Sequence, residues 1–284
     1  MFLNFMDNLL AKTREICRLF EIKPARSKGQ NFLINEKIYD DIIKAADLKT
    51  DDVVLEVGPG LGFLTAKLAS RVKKVIAVEL DDQLANYLQT GIKSQDIENV
   101  QVINEDILRF NVNLLKDQSY KIVANLPYNI TSIFLRQFLE AEHHPEALIL
   151  MLQKEVAQRI NATPPDMSIL AVAVQYYAMP QIIRTVKAGN FWPEPEVDSA
   201  IIKITVDQKI LSPAETKLFF RLVKIGFSAK RKMLKNNLAG GLKIEAKIIA
   251  DILTQERFDP KIRAEDLSLA QWRKLFAALA KFMV

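Results

Sequence analysis

The sequence predicts an α/β fold: a parallel sheet with helices on both faces, followed by a small all-helical domain. Three observations carry this expectation. Short β-branched, apolar runs alternate with amphipathic segments over the first 206 residues. A glycine-rich loop stands where the first of these runs gives way to a helical pattern. From Pro213 onward only helical periodicity remains, and the charge balance changes with it.

Taken in order, residues 2–20 read as a helix, and Pro24 to Lys28 as a basic connector. Strands are expected at 53–57, 75–79, 100–103, 121–124 and 148–152, each short, apolar and of buried character. Amphipathic segments near 62–70, 81–90, 130–141 and 153–161 supply the covering helices. Two further strands, 182–186 and 199–206, flank the Pro-rich segment Phe191-Trp192-Pro193-Glu194-Pro195. The last four helices are expected near 213–226, 231–239, 244–255 and 268–282. The domain boundary therefore falls at 206–212, giving a body of residues 1–206 with a helical extension at 1–28, and a second domain of 207–284.

Composition narrows the functional classes. Cys17 is the single cysteine, so no internal disulfide or multi-cysteine metal site can form. The two histidines, His143 and His144, are adjacent, and no spaced pair is left for a zinc enzyme. Cys17 reads as a packed residue and the histidines as helix-end residues. No apolar run reaches about 18 residues, and Asp7 interrupts the first apolar stretch, which argues against a membrane span and a signal peptide. Residues 207–284 carry 16 Lys/Arg against 8 Asp/Glu, whereas residues 1–206 carry 23 against 26. A basic module on a nearly neutral body suits a nucleic-acid partner, or is simply a well-solvated tail.

The most informative run is Glu56-Val57-Gly58-Pro59-Gly60-Leu61-Gly62. Glycines at a strand-to-helix turn let the backbone approach a ligand closely. The spacing of Gly58, Gly60 and Gly62 lacks the G-x-G-x-x-G of the dinucleotide fingerprint, and Glu56 precedes the loop inside the strand. This combination suits a ligand with a cationic amino-acid end, S-adenosylmethionine, over NAD, with an ordinary turn as a third reading. Glu79 ends the second strand, where a carboxylate can accept both ribose hydroxyl hydrogens. Asp106, after the third strand, is placed to accept from an adenine amino group.

Asn125-Leu126-Pro127-Tyr128 follows the fourth strand. An exocyclic adenine amine is a poor nucleophile because its lone pair is delocalised into the ring. A site that methylates it needs acceptors for the N–H hydrogens, and the Asn125 side chain and Leu126 carbonyl could supply them. Pro127 would fix the turn, and Tyr128 would stack on an extruded base.

With these residues in place, the chain resembles the rRNA adenine N6,N6-dimethyltransferases of the KsgA/RsmA type over nearly its whole length. Gln30-Asn31-Phe32-Leu33 is similar to the family's N-terminal cofactor motif, which implies that Asn31 and Leu33 contact S-adenosylmethionine. Gly58, Gly60, Glu79, Asp106 and Asn125 match the remaining cofactor positions. Residues 152–156 and 191–199 resemble later motifs, implying that Phe191 stacks on the base opposite Tyr128. Lys230-Arg231-Lys232, with Lys235, Asn237 and Leu238, resembles the helical C-terminal domain. The resemblance implies a Rossmann-like class I S-adenosylmethionine-dependent methyltransferase sheet with a small all-helical C-terminal domain. It implies a cytoplasmic monomer, needing no metal or membrane, that dimethylates two adjacent adenosines in the 3′-terminal hairpin loop of 16S rRNA. The substrate would be the small ribosomal subunit or its precursor, docked through Lys230, Arg231, Lys232 and Lys235. Alternatives are a 23S rRNA dimethylase of the macrolide-resistance type and a non-catalytic nucleic-acid-binding factor on the same fold. Two departures, Lys28 before Gly29-Gln30 and Asp166-Met167-Ser168, bear on RNA contact more than on the reaction.

Overall fold

A computed structural model describes residues 8–24, 29–127, 130–207 and 211–283. Helix α1 (Leu9–Leu19) is followed by the short strand β1 (Phe32–Leu33) and helix α2 (Glu36–Ala46). Strands and helices then alternate through β2 (Val53–Val57), α3 (Phe63–Ala69), β3 (Lys74–Glu79), α4 (Asp82–Ser94), β4 (Val100–Asn104), β5 (Tyr120–Asn125), α5 (Thr131–Leu139) and β6 (Ala147–Gln153). After α6 (Lys154–Ile160) and α7 (Ile169–Tyr177) come β7 (Ala178–Val186), β8 (Phe191–Trp192) and β9 (Ser199–Val206). The chain closes with α8 (Pro213–Gly226), α9 (Leu234–Leu242), α10 (Ala246–Gln255) and α11 (Leu269–Leu279). None of the described helices is long and apolar enough to cross a membrane.

The seven-stranded sheet has the order β4-β3-β2-β5-β6-β9-β7. Pairings β4–β3, β3–β2, β2–β5 and β5–β6 are parallel. β9 runs antiparallel to β6, from Ala147↔Thr205 to Gln153↔Ser199. The five strands of the alternating pattern are thus parallel, as expected, and β9 adds an antiparallel strand beside them. After β6 the chain passes through α6, α7, β7 and β8 before β9 enters the sheet between β6 and β7. Central strands β2, β3, β5 and β6 are buried almost throughout, as expected for strands covered on both faces. From β2 the sheet grows one way to β3 and the other way to β5, so the crevice beyond β2 and β5 is a topological switch point.

By contacts the chain divides into two units, 1–157 with 180–206, and 158–179 with 207–284. Residues 158–179 therefore belong with the C-terminal helices, not with the body of residues 1–206 to which strand–helix alternation assigns them. Their side chains explain it. Tyr176 of α7 stacks on Phe219 of α8 at 4.9 Å, and the Arg273 guanidinium of α11 lies over the same tyrosine ring at 5.3 Å. Met167 and Ser168, which depart from the family pattern, serve this packing: the Met167 N–H donates to the Glu265 carbonyl, and Ser168 caps α7.

Two helices of the second unit are capped by their own side chains. Ser212 and Glu215 form a capping box at α8 with Pro213 in the first turn, and Ser268 with Gln271 does the same at α11. α9 begins at Leu234, however, not at 231. Lys230, Arg231 and Lys232 lie in the exposed turn between α8 and α9, so Arg231 and Lys235 do not share a helix face. Buried Asn237 fixes that turn by donating to the carbonyls of Gly226 (2.6 Å) and Ala229 (3.1 Å).

Candidate active site

A cavity of about 380 Å³ opens at the switch point, lined entirely by residues of the first unit. Its floor is the loop after β2. Gly58, Gly60 and Gly62 all have positive φ (67°, 56° and 79°), which explains why three glycines stand there. At Gly62 a Cβ would also lie 2.6 Å from Leu88 Cδ1.

Glu79, at the end of β3, is buried beside this loop. Its Oε2 accepts from the Gly60 N–H (3.0 Å) and its Oε1 from the Asp81 N–H (2.9 Å). Burial raises its pKa, and these two donors partly offset that. A carboxylate has about four lone-pair sites, so capacity for ligand hydroxyls remains. Asp106 lines the cavity after β4, with Oδ1 accepting from the Leu108 N–H at 2.9 Å. Asn31 and Leu33 line the opposite wall. The Asn31 side chain is oriented by the Gly29 carbonyl (3.4 Å), and its own carbonyl accepts from Asn125 Nδ2 (3.4 Å). Half-buried Asn125 thereby joins the N-terminal segment to the end of β5 and leaves its oxygen for another donor.

Of the expected site residues, the structure brings Asn31, Leu33, Gly58, Gly60, Glu79, Asp106, Asn125 and Pro127 to one cavity. Leu126 is outside the lining; its side chain is buried and its N–H donates to the Met151 carbonyl (3.2 Å), so only its backbone carbonyl could act on a ligand. Tyr128 lies outside the described residues. Phe191 requires a correction. It is 4% exposed, packs into the core and does not line the cavity, so its ring is not offered to a base. In the antiparallel ribbon β1–β8, Phe191 pairs with Leu33 and Trp192 with Phe32, and the Phe191 ring is taken up by the buried core. The proline-rich motif is instead a brace. The Asn190 carbonyl accepts from the Ile34 N–H (2.8 Å), and Asp198 holds Lys187 and the Ala188 N–H.

Among the lining residues that escape the sequence pattern are Tyr39, Asp81 and Met151. Tyr39 sits on α2, whose signals are an Asn35 N-cap and apolar positions 38, 39, 42 and 46. Cys17 is buried, and its thiol is pushed up to about 11 by burial, which fits a packed residue. His143 does not cap α5; it donates from Nε2 to the Gln118 carbonyl (2.8 Å) and lies beside Tyr120.

The cavity tests well against S-adenosylmethionine. Five carboxyl side chains line it (Glu56, Glu79, Asp81, Glu105 and Asp106), and among the described residues no Lys, Arg or His does. A dinucleotide pyrophosphate would meet only like charge there, whereas a sulfonium cation with an α-ammonium group is matched. Fold and site together define an S-adenosylmethionine-dependent methyltransferase. The family model for ribosomal RNA adenine dimethylase matches residues 23–281. The chain belongs to that family and is an S-adenosylmethionine-dependent rRNA adenine dimethyltransferase.

Curated relatives agree. The chain is 44% identical over 271 residues to ribosomal RNA small subunit methyltransferase A of Dehalococcoides mccartyi strain CBDB1, covering 94% of this chain and 92% of the relative. It is 38% identical over 279 residues to the protein of the same name from Alkaliphilus oremlandii, covering 95% and 96%. Among solved structures it resembles a dimethyladenosine transferase from Plasmodium falciparum (TM-score 0.78, 26% identity, 88% of this chain and 98% of that one). It is similar also to the 23S rRNA methyltransferase ErmE (TM-score 0.74, 27% identity, 88% and 100%).

Proposed function

We propose that this enzyme dimethylates N6 of two adjacent adenosines in the 3′-terminal hairpin loop of 16S rRNA. It would act as a cytoplasmic monomer on the small ribosomal subunit or its precursor. The observation that carries the choice of subunit is the name shared by relatives at 38–44% identity over more than nine-tenths of the chain. The fold alone does not separate the readings, since a dimethyladenosine transferase and the 23S rRNA enzyme ErmE are matched almost equally.

When bound, S-adenosylmethionine supplies a methyl group activated by its sulfonium. Asn31, Leu33, Gly58, Gly60, Glu79 and Asp106 would hold it, Glu79 through the ribose hydroxyls and Asp106 through the adenine amine. Asn125 Oδ1 and the Leu126 carbonyl would accept the hydrogens of the target amine, freeing its lone pair as the new N–C bond forms. Pro127 holds that turn against Gly29, where a Cβ on the glycine would come within 3.3 Å of the proline ring. Tyr128 would stack on the extruded base. The methylated amine is cationic and acidic, so its proton can pass to water with no enzyme base. Lys230, Arg231, Lys232 and Lys235 would engage rRNA phosphates.

Tritiated-methyl transfer to under-methylated small and large subunits tests this reading. Label is expected in small-subunit rRNA as dimethyladenosine. Label confined to large subunits would assign the enzyme to the alternative substrate.

A further inference from the structure

Glu56 is a buried acid that the fold leaves unanswered. It stands on β2 with 1% exposure and lines the cofactor cavity. Neither of its carboxyl oxygens has a partner at full hydrogen-bond geometry, and the neighbouring Thr65 hydroxyl of α3 is the one side-chain donor that acts on it. Among the described residues no cation compensates it. Tyr39 of α2 donates its hydroxyl away from Glu56, to the Leu33 carbonyl (3.0 Å). Lys67, the basic residue of α3, is held by Glu36 (3.2 Å) and Asp40 (2.8 Å). From β3, Glu79 contributes repulsion, and Asp81, Glu105 and Asp106 line the same space. An ionised carboxylate in such a place costs far more than a neutral carboxylic acid.

We propose that Glu56 holds a proton in the free protein and releases it when the cofactor's α-ammonium group enters, so that cofactor binding is coupled to proton release. The O–H bond of the carboxyl group breaks, the proton passes to the buffer, and the carboxylate left behind pairs with the incoming cation. Burial pushes the Glu56 pKa up to about 8, with the Thr65 hydroxyl pulling it down in part and Glu79 adding repulsion. A cationic partner acts in the opposite direction. Below that pKa each cofactor molecule must displace a proton, so affinity rises with pH. With the bound carboxylate ionised throughout, S-adenosylhomocysteine should bind roughly ninefold tighter at pH 7 than at pH 6.

Calorimetric titration with S-adenosylhomocysteine at pH 7, in buffers of different ionisation enthalpy, counts the protons released. Close to one proton per ligand is expected from the parent protein and close to none from Glu56→Gln. 5′-Methylthioadenosine shares the adenosine but lacks the amino-acid end, and it should bind with no proton release. A parent protein that releases no proton, a Glu56→Gln variant that releases as many, or equal release with 5′-methylthioadenosine would each overturn the proposal. Should the variant not fold, infrared difference spectroscopy on the parent gives an independent answer. The C=O band of a protonated carboxyl must disappear on S-adenosylhomocysteine binding, and its persistence has the same negative weight.

Discussion

Glu79 is engaged twice over, by the backbone of the glycine loop and by the turn into α4, before any ligand arrives. Its replacement therefore removes both an acceptor for the ribose and a fastening of the loop that receives it. Glu79→Ala should weaken S-adenosylhomocysteine binding by roughly 2–4 kcal/mol, the range for losing a charge-assisted partner. Calorimetry measures it, and unchanged affinity would remove Glu79 from the site. Asn125 acts elsewhere along the cavity wall. Asn125→Ala should abolish methyl transfer while leaving rRNA affinity within about twofold, because no phosphate contact is lost. A fall in gel-shift affinity equal to the fall in turnover would make Asn125 a binding or folding residue. At this scale the site was readable because its acids stand at strand ends and its glycines at a turn. Glu79, Asp106 and Asn125 each follow a β-branched run. Phe191 misled because a motif shows which residues belong together but not which way a ring in a two-residue strand faces.

Among the elements, the parallel strands were legible from their unbroken apolar character, and 53–57 matches β2 residue for residue. β9 was legible as a strand, but its antiparallel pairing was not, since burial on both faces erases the alternation that betrays direction. Likewise α7 is apolar nearly all round and carries no stripe to mark it as a helix. The α8–α9 turn shows how a polar residue sets an element's geometry. The Asn237 amide donates to two carbonyls, at Gly226 and Ala229, and so ties the start of the turn to the helix that follows it. Asn237→Ala should destabilise the second unit by about 1–3 kcal/mol, the cost of leaving a buried polar group unpaired. Urea denaturation reads that loss. The same variant should lower rRNA affinity although no charge has changed, because the turn bearing Lys230, Arg231 and Lys232 loses its anchor. Parental stability and affinity together would show that the turn holds itself.

Over the whole molecule, opposite charges are segregated, with an acidic cavity in the first unit and an excess of cations in residues 207–284. Among the described residues, Arg231, Lys232 and Lys235 have no acidic partner, while Lys230 approaches Glu265 at 3.8 Å. Replacing Arg231, Lys232 and Lys235 by Gln should weaken binding to small subunits and flatten its salt dependence by up to about three phosphate contacts. Cofactor affinity should be unchanged, since the cavity lies wholly within the first unit. A parental salt slope would move the docking surface elsewhere.

The β1–β8 ribbon also governs when the enzyme becomes competent during its own synthesis. The front wall of the cavity, from Gln30 to Leu33, is pinned by a segment lying far downstream; Asn35 and Asn190, 155 positions apart, join at 2.7 Å just beyond it. A ribosome-bound chain that has already produced the glycine loop, Glu79, Asp106 and Asn125 still lacks that brace. Non-local closure of this kind comes late, after the local strand–helix units have formed. A nascent chain stalled before residue 190 would thus hold nearly every cofactor contact in sequence yet retain S-adenosylhomocysteine poorly, and release from that state requires the chain to emerge through Asp198 and β9.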